Sequence, residues 1–221
     1  MTKFEWDKTG ERLFETGTSK GALYRIDENL AYTKGTVWNG LTGVTESPSG
    51  ADTTDLYADD IKYASLQAAE TFGGTIEAYM YPDEFAACDG SKEIAPGVTI
   101  GQQDRETFGF TYATQIKDDT GRSGEKIHLV YGAKASPSER SYTTVNDSPE
   151  AITFSWEFTT TPVNVSGAKP TALLTVNSLK VGADKLQALK DVLYGTDTNE
   201  PRLPLPDEVV SIIGSTEAIE G

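Results

Sequence analysis

The sequence predicts a mainly β fold with one flanking α-helix at about residues 184–194. Three patterns support this prediction. Apolar and polar residues alternate in several short segments, turn-forming residues separate those segments, and a single segment carries its apolar residues at helical spacing. With 221 residues, 37% of them hydrophobic, the chain is long enough to bury one sizeable core.

The alternation is most regular between residues 126 and 163, where two predicted strands flank a polar loop. The second strand alternates four apolar with four polar residues: Ile152, Phe154, Trp156 and Phe158 against Thr153, Ser155, Glu157 and Thr159. One face of this strand should therefore be buried and the other exposed to solvent. The first strand is more apolar, with Ile127, Leu129 and Tyr131 on one side and His128 and Val130 on the other, which favours the middle of a sheet. The loop contains Pro137, Asn146, Asp147 and Pro149.

In the N-terminal half, residues 1–35 are predicted to form an arm with a short strand at residues 22–26. A strand at residues 38–46 and a long acidic loop at residues 47–60 follow. Residues 61–81 predict two strands that meet at Gly73 and Gly74, with Thr71, Thr75 and Glu77 on the polar face. Residues 82–88 predict a short helical turn that begins at a proline.

In the C-terminal half, a strand at residues 107–116 carries Phe108, Phe110 and Tyr112 on one side. The polar stretch 117–126 predicts the tip of a protruding hairpin. A strand at 171–181, the helix at 184–194 and an extended acidic tail complete the chain. This gives an N-terminal arm and first strand at 1–35, a β domain at 36–195 and a C-terminal tail at 196–221.

The net charge of −15 argues against a surface that grips nucleic acid, because such binding depends on Lys and Arg neutralising phosphates. The negative charge is compatible with a surface along which nucleic acid slides without binding. A requirement for solubility alone would also explain it. The sequence contains no apolar run long enough to span a bilayer and no signal-peptide pattern, so no membrane association is expected. The single cysteine excludes an internal disulfide.

Residues that could carry chemistry are few. His128 lies in an apolar strand, where a neutral, hydrogen-bonded ring is expected, and Cys88 is expected to be a small buried thiol. Asp118, Asp119 and Glu125 could bind calcium, but they lack the spacing of an EF-hand and favour a solvated turn. With no phosphate-binding loop, nucleophile elbow or zinc-protease motif, the chain is expected to be neither an enzyme nor a cofactor-binding protein.

Five sequence blocks together are more specific than any of these motifs. They are KTGERLFETG (8–17), WNGLTGVTESPSGA (38–51), LYADDIKYASLQAAETFGGTIEAYMYPDEFAACDG (56–90), EIAPGVTIGQQDRETFGFTYATQI (93–116) and residues 126–163. In these blocks, which cover most of its length, the chain resembles the major tail proteins, or tail tube proteins, of long non-contractile-tailed phages and prophages of Gram-positive bacteria.

The resemblance implies a tail-tube-type β-sandwich or barrel that assembles into hexameric rings. The stacked rings would form a hollow virion tail through which genomic DNA passes without sequence-specific binding. It also implies contacts with tape measure, tail terminator and baseplate or distal tail proteins, and assembly in the cytoplasm of the bacterial host. In such a ring, sheet edges could pair with the next subunit.

Two groups of residues are candidates for working surfaces. The wall of the lumen is expected to include Thr71, Thr75, Glu77, Thr153, Ser155, Glu157 and Thr159, although alternation alone is equally compatible with an outer solvent face. Contacts between rings are expected from the 47–60 loop, the 117–126 hairpin tip and both termini, with Asp52, Asp55, Asp59, Asp60, Asp118, Asp119, Arg122 and Glu125 as candidates.

Two alternatives remain open at this point. A tube protein of a tailocin or another phage-derived injection device would have the same fold around a different cargo. A carbohydrate-binding β-sandwich would need an exposed aromatic platform, for which Trp6, Trp38 and Trp156 are the candidates. Of these, Trp156 is better explained as core, because Phe154 and Phe158 share its face.

Overall fold

The structure of the protein is a computed structural model, and it describes residues 3–144, 147 and 150–214. The described part contains fourteen β-strands and two α-helices. The strands are β1 (Phe14–Ile26), β2 (Tyr32–Trp38), β3 (Leu41–Glu46), β4 (Ser49–Gly50), β5 (Thr53–Ala58), β6 (Ile61–Gln67), β7 (Glu70–Thr71), β8 (Gly73–Ala78), β9 (Lys92–Ala95), β10 (Val98–Ile100), β11 (Phe108–Lys117), β12 (Ser123–Ala135), β13 (Phe154–Thr160) and β14 (Leu173–Asn177). The helices are α1 (Ala183–Tyr194) and α2 (Pro206–Ile213).

Eight strands form one antiparallel sheet in the order β2-β1-β11-β12-β13-β8-β3, with β14 paired to β12. The order is open, and among the described residues the sheet does not close into a barrel. The predicted mainly β fold with a flanking helix is confirmed. The remaining strands form three separate pairs: β4 with β7, β5 with β6 and β9 with β10.

The sheet folds over a first core cluster. Phe110 pairs with Leu23 of β1 and with Val130 of β12, so all three side chains share one face. They pack in the same buried cluster as Trp156 and Ile76, which are cross-strand partners on β13 and β8. The strands β1, β11 and β12 therefore form one layer of this core, and β8 and β13 form the other.

A second core cluster covers the opposite face of the first layer. Tyr24, Leu129 and Tyr131 pack there with Leu189 and Leu193 of α1 and with residues of α2. The middle strands are thus buried on both faces, which explains why the sequence of β12 is apolar on both sides. The prediction that this strand lies near the middle of a sheet is confirmed.

Strand β12 changes partner along its length. Its first half, from Lys126 to Val130, pairs with β14, and Ala133 to Ala135 pair with β13. Between the two lies Gly132, with a φ of +60°, and a Cβ at this position would lie 2.1 Å from the carbonyl oxygen of Thr161. Only glycine fits this close approach, which lets one strand serve both parts of the sheet.

The predicted helix at 184–194 is confirmed as α1, but α2 was not predicted. We expected an extended tail at 196–221, because three prolines fall close together. Pro206 instead starts α2, where a missing N–H costs nothing, and Asp207 and Glu208 favour its positive end. Val209 then packs in the second cluster. Residues 215–221 of the predicted tail lie outside the described residues.

Three other expectations need correction. The strand predicted at 22–26 begins earlier, at Phe14, because its polar first half pairs with β11. The segment predicted as one strand at 38–46 contains the last residue of β2, a turn at Asn39 and Gly40, and β3, which pairs with β8 and not with β2. The 117–126 tip is not a ten-residue protrusion, since β11 runs to Lys117 and β12 starts at Ser123.

The helical turn predicted at 82–88 is present as a 3₁₀ helix at Asp83–Ala87. The predicted acidic loop at 47–60 is wrong, because Thr53–Ala58 forms β5 and pairs with β6. Of the loop residues between the two alternating strands, Pro137 and Asp147 are described, whereas Asn146 and Pro149 lie outside the described residues.

Candidate functional site

A polar face lies on the outer side of β3, β8 and β13. Glu157 pairs with Thr75, which pairs in turn with Thr45, and Ser155 pairs with Glu77. Cross-strand partners share a face, so these five side chains form one surface opposite the buried Trp156 and Ile76. We name this surface the outer polar face.

The outer polar face continues into an open cleft of about 380 Å³. Its lining includes Thr71, Thr75, Glu157 and Thr159, together with hydroxyl groups from neighbouring segments. Thr71 reaches the cleft from β7, where its hydroxyl lies 2.9 Å from that of Ser49. Such hydroxyl groups form many weak hydrogen bonds with water, and they give the cleft little charge.

The structure thus brings together most of the residues predicted to line a lumen. Thr75, Glu77, Ser155, Glu157 and Thr159 lie on two paired strands, and Thr71 borders the same cleft. Thr153 precedes β13 and is exposed. Nothing in a single chain decides whether this face lines a lumen, so that assignment stays a prediction.

The second feature is the hairpin formed by β5 and β6, which pair only with each other in the described structure. Its turn is Asp59-Asp60, with φ values of 49° and 62°. Positive φ at both turn residues is typical of the type I′ turn that fits the twist of a two-residue hairpin. Acidic residues at these two positions therefore close a hairpin where the sequence had predicted a loop.

The β5/β6 hairpin has one apolar and one polar face. A register shift between Leu56 and Tyr57 places Tyr63 in a bulge. The apolar face carries Leu56, Ala58, Ile61, Ala64 and Leu66, with Thr54 at its end opposite Leu66. On the polar face, Lys62 lies 2.7 Å from a carboxylate oxygen of Asp55, whose pKa is lowered by the hydrogen bonds from Lys62 and Ser65.

The apolar face of the β5/β6 hairpin is exposed. Leu56, Ile61 and Leu66 are 42%, 64% and 57% exposed. A two-stranded hairpin is marginally stable by itself in water, and exposed apolar patches commonly mark interaction sites. This face is therefore suited to contact another protein surface.

The eight residues predicted for ring contacts fall into two separate groups. Asp52, Asp55, Asp59 and Asp60 lie on or beside the exposed β5/β6 hairpin. Asp118, Asp119, Arg122 and Glu125 lie in or near the tight β11/β12 turn, and their contacts are within the chain. Their roles in ring contact stay predictions.

Hydrogen bonds hold the β11/β12 turn in place. The carboxylate of Asp118 is buried and accepts hydrogen bonds from Thr120 and from the Arg122 amide, which lower its pKa. Asp119 accepts a hydrogen bond from the amide of Gly10. Glu125 pairs with Lys20 and with Lys190 of α1. The solvated turn that we expected is thus largely tied to the fold.

A second self-paired hairpin, β9/β10, was not predicted. Its apolar side chains are exposed, with Ile94 at 59%, Val98 at 49% and Ile100 at 38%. Pro96 and Gly97 form the turn, and Gly97 has a φ of +75°. The sequence signal was present, since a Pro-Gly pair between two short apolar runs is typical of a turn.

The one histidine lies at the polar edge of the first core. His128 Nε2 is 3.1 Å from the hydroxyl of Thr114, and its Nδ1 is 3.3 Å from a carboxylate oxygen of Glu46. Burial lowers the pKa of His128, while the charges of Glu46 and Glu15 oppose that shift. Burial therefore favours the neutral ring that the sequence predicted for a core histidine.

Cys88 is fully buried, and burial raises the pKa of its thiol to about 12. The prediction of a buried thiol is confirmed, and such a thiol is a poor nucleophile. In the described parts of the chain, no group of three His, Cys, Asp or Glu side chains is placed to hold a metal ion. No helix in those parts is both long and apolar enough to cross a bilayer.

Two of the three tryptophans lie in the core rather than on a platform. Trp38 and Trp156 are 2% and 1% exposed, and their ring centroids lie 5.6 Å apart. The prediction that Trp156 belongs to the core is confirmed. Trp6 is 80% exposed, with its ring centroid 6.1 Å from that of Phe4.

No protein-family model matches the chain, and no curated protein matches it. Among solved structures, it is similar to a chain from the sheath-tube complex of an extracellular contractile injection system, PVC, in the extended state. The two chains are 12% identical with a TM-score of 0.34, and the match covers 78% of this chain and 93% of the other. At this TM-score the similarity identifies neither a function nor a partner.

Proposed function

We propose that this chain is a tail tube protein. It assembles into hexameric rings, and the rings stack into the hollow tail of a non-contractile-tailed phage or prophage of Gram-positive bacteria. The tube is the conduit for genomic DNA, and the chain carries no enzymatic activity. It is a virion component that assembles in the host cytoplasm with tape measure, terminator and baseplate or distal tail proteins. The proposal rests on the sequence blocks described above and on the two surfaces of the fold.

The observation that carries the proposal is the β5/β6 hairpin. Its strands pair only with each other in the described structure, and its apolar face is exposed. Burying apolar surface contributes about 25 cal/mol per Å² to association, and the hairpin gains packing that it lacks in a single chain. A chain whose role is self-assembly accounts for an amphipathic hairpin that the monomer leaves uncovered.

The outer polar face supports the conduit part of the proposal. It combines hydroxyl groups with the carboxylates of Glu77 and Glu157, both exposed. A wall with these groups repels phosphates and offers DNA no deep binding minima. The net charge of −15 means that the chain as a whole also repels DNA phosphates. In a tube with this face inward, DNA would pass without adsorbing.

Negative-stain electron microscopy of the purified protein over a range of concentrations tests the proposal. We expect six-fold rings or hollow tubes. A chain that stays monomeric at every concentration, and that still forms no tube after distal tail and tape measure proteins are added, would overturn it.

A pair of matched variants tests the role of the hairpin. Leu56→Ser with Leu66→Ser removes two exposed leucines from its apolar face, and Leu30→Ser with Leu205→Ser removes two exposed leucines elsewhere. We expect folded protein from both, but rings or tubes only from the second. Deleting the 117–126 tip would be a poorer test, because the buried Asp118 makes that turn part of the fold.

A further inference from the structure

The two self-paired hairpins of the fold have complementary surfaces. We propose that the apolar face of the β5/β6 hairpin of one subunit packs on the β9/β10 hairpin of the next subunit. The inference rests on the proposed function and names the surface that receives the hairpin. The partner is a second copy of this chain.

The first step is the symmetry of the assembly. A contact between two identical patches closes as a two-fold dimer, whereas rings and tubes require two different patches that fit each other. The β5/β6 and β9/β10 hairpins are separate in sequence, and each forms its own two-stranded sheet. They therefore supply the two unlike surfaces that a ring or stack of one protein needs.

The second step is the face that β9/β10 presents. Ile100 pairs with Lys92, and Val98 pairs with Ala95, so these four side chains share a face. Ile94 lies at the register shift beside them. This face is apolar at its centre and basic at one edge, and both of its large aliphatic side chains are exposed.

The third step is charge. The apolar face of β5/β6 ends at the turn residues Asp59 and Asp60, so it is bordered by acid. The β9/β10 face is bordered by Lys92, which forms no ion pair among the described residues. Glu93 lies on the opposite face, where its carboxylate accepts the amide of Gly97. An apolar patch with an acidic border thus matches an apolar patch with a basic one.

Cysteine crosslinking tests the contact directly, because the native Cys88 is fully buried. Ala64→Cys lies in the middle of the β5/β6 apolar face, and Ala95→Cys lies on the β9/β10 face. A chain with both substitutions, treated with a short bis-maleimide after assembly, should give a ladder of covalent multimers. The control chain carries Ser65→Cys and Thr99→Cys on the opposite faces of the same hairpins and should give no ladder.

A charge exchange provides a second readout. Lys92→Glu should raise the protein concentration needed for assembly at least several-fold, and adding Asp60→Lys should restore it. Tubes that form normally but give no ladder from the Ala64 and Ala95 cysteines, with no rescue by the charge exchange, would overturn this inference and leave the proposed function intact. Absence of tubes from the unmodified protein under all conditions would overturn both.

Discussion

The ring of Tyr112 lies flat on the ring of His128, with centroids 4.5 Å apart and planes 3° from parallel. The stack closes the polar edge of the first core. The hydroxyl of Tyr112 donates to Glu46, the last residue of β3, so the stack also holds the end of β3 against β11 and β12. Burial lowers the pKa of His128 and raises that of Tyr112.

This stack gives a pH dependence with a definite sign. Because the pKa of His128 is lowered in the folded chain, the unfolded chain binds a proton first as the pH falls below about 6.5. Stability should therefore fall on acidification through that window and stop falling once the pH is below the folded pKa. Free energies of unfolding from urea titrations, taken at intervals between about pH 5 and pH 7, measure this effect.

His128→Gln should remove this part of the pH dependence. The lowered carboxyl pKa values of Asp118 and Glu125 produce losses of stability only at lower pH, so they do not interfere. Identical slopes for the variant and the unmodified protein between about pH 5 and pH 7 would show that His128 is not the titrating group.

The aromatic cluster around Trp156 should dominate the stability of the first core. Its ring centroid lies 5.2 Å from that of Tyr81 and 5.3 Å from that of Phe85. Trp156→Ala should cost about 3–5 kcal/mol of the free energy of unfolding, because it removes a buried ring and leaves a cavity. Trp6→Ala, at an 80% exposed position, should change it by less than about 0.5 kcal/mol. Equal effects of the two substitutions in chemical denaturation would contradict this account of the core.

A partly buried ion pair fixes the segment that follows β12. Asp89 is 8% exposed, and it accepts a hydrogen bond from the guanidinium of Arg140, which also lies 5.6 Å from the ring centroid of Tyr81. Arg140→Ala would leave the buried carboxylate with the charge of Arg105 but without its hydrogen-bonded cation, at a cost of about 1–3 kcal/mol. Arg25→Ala breaks the exposed pair with Glu106 and should cost less than about 1 kcal/mol.

The same variant has a spectroscopic readout. Burial already raises the pKa of Asp89, and Arg140 opposes that shift. We expect Arg140→Ala to raise the pKa further, and a carboxyl NMR titration would measure it. An unchanged pKa of Asp89 would show that the two charges do not interact.

The partner change of β12 should depend on one glycine. Gly132→Ala would place a methyl group against the Thr161 carbonyl in a left-handed backbone conformation, so we expect a loss of at least about 1–2 kcal/mol. Gly101→Ala is the matched control, because nothing lies within 4 Å of a Cβ there. Thermal unfolding of the two variants compares them, and a Gly132→Ala protein as stable as the control would contradict the proposed constraint.

The parts of the fold that could be predicted from the sequence are those in which local pattern and burial agree. Alternation located β13 because Trp156 and Phe158 face the core while Glu157 does not. Helical spacing located α1 because Leu189 and Leu193 lie on one buried stripe. In both elements the local pattern is also the pattern of tertiary contacts.

The parts that could not be predicted depend on partners distant in sequence or on uncommon turn residues. The polar first half of β1 is a strand because Glu15 and Thr16 pair with Ile116 and Gln115 of β11. The β5/β6 hairpin was hidden because Asp59-Asp60 replaces the more usual Asn-Gly or Asp-Gly at its turn. For the outer polar face, alternation predicted which residues of each strand face solvent. Only the register between β8 and β13 shows that Glu157 lies beside Thr75.

The charge of the outer polar face should decide whether DNA moves past an assembled tube or adheres to it. Glu157→Lys replaces a carboxylate that repels DNA phosphates with an ammonium group that attracts them. Because this side chain is exposed, the fold should not change. Because each new cation releases counterions from DNA, tubes of this variant should retain short duplex DNA at low salt and release it as salt rises. Glu28→Lys makes the same charge change in an exposed turn away from this face, and its tubes should not retain DNA within the lumen. Equal retention by both variants, measured by co-sedimentation of assembled tubes with labelled DNA, would mean that β8 and β13 do not line the lumen.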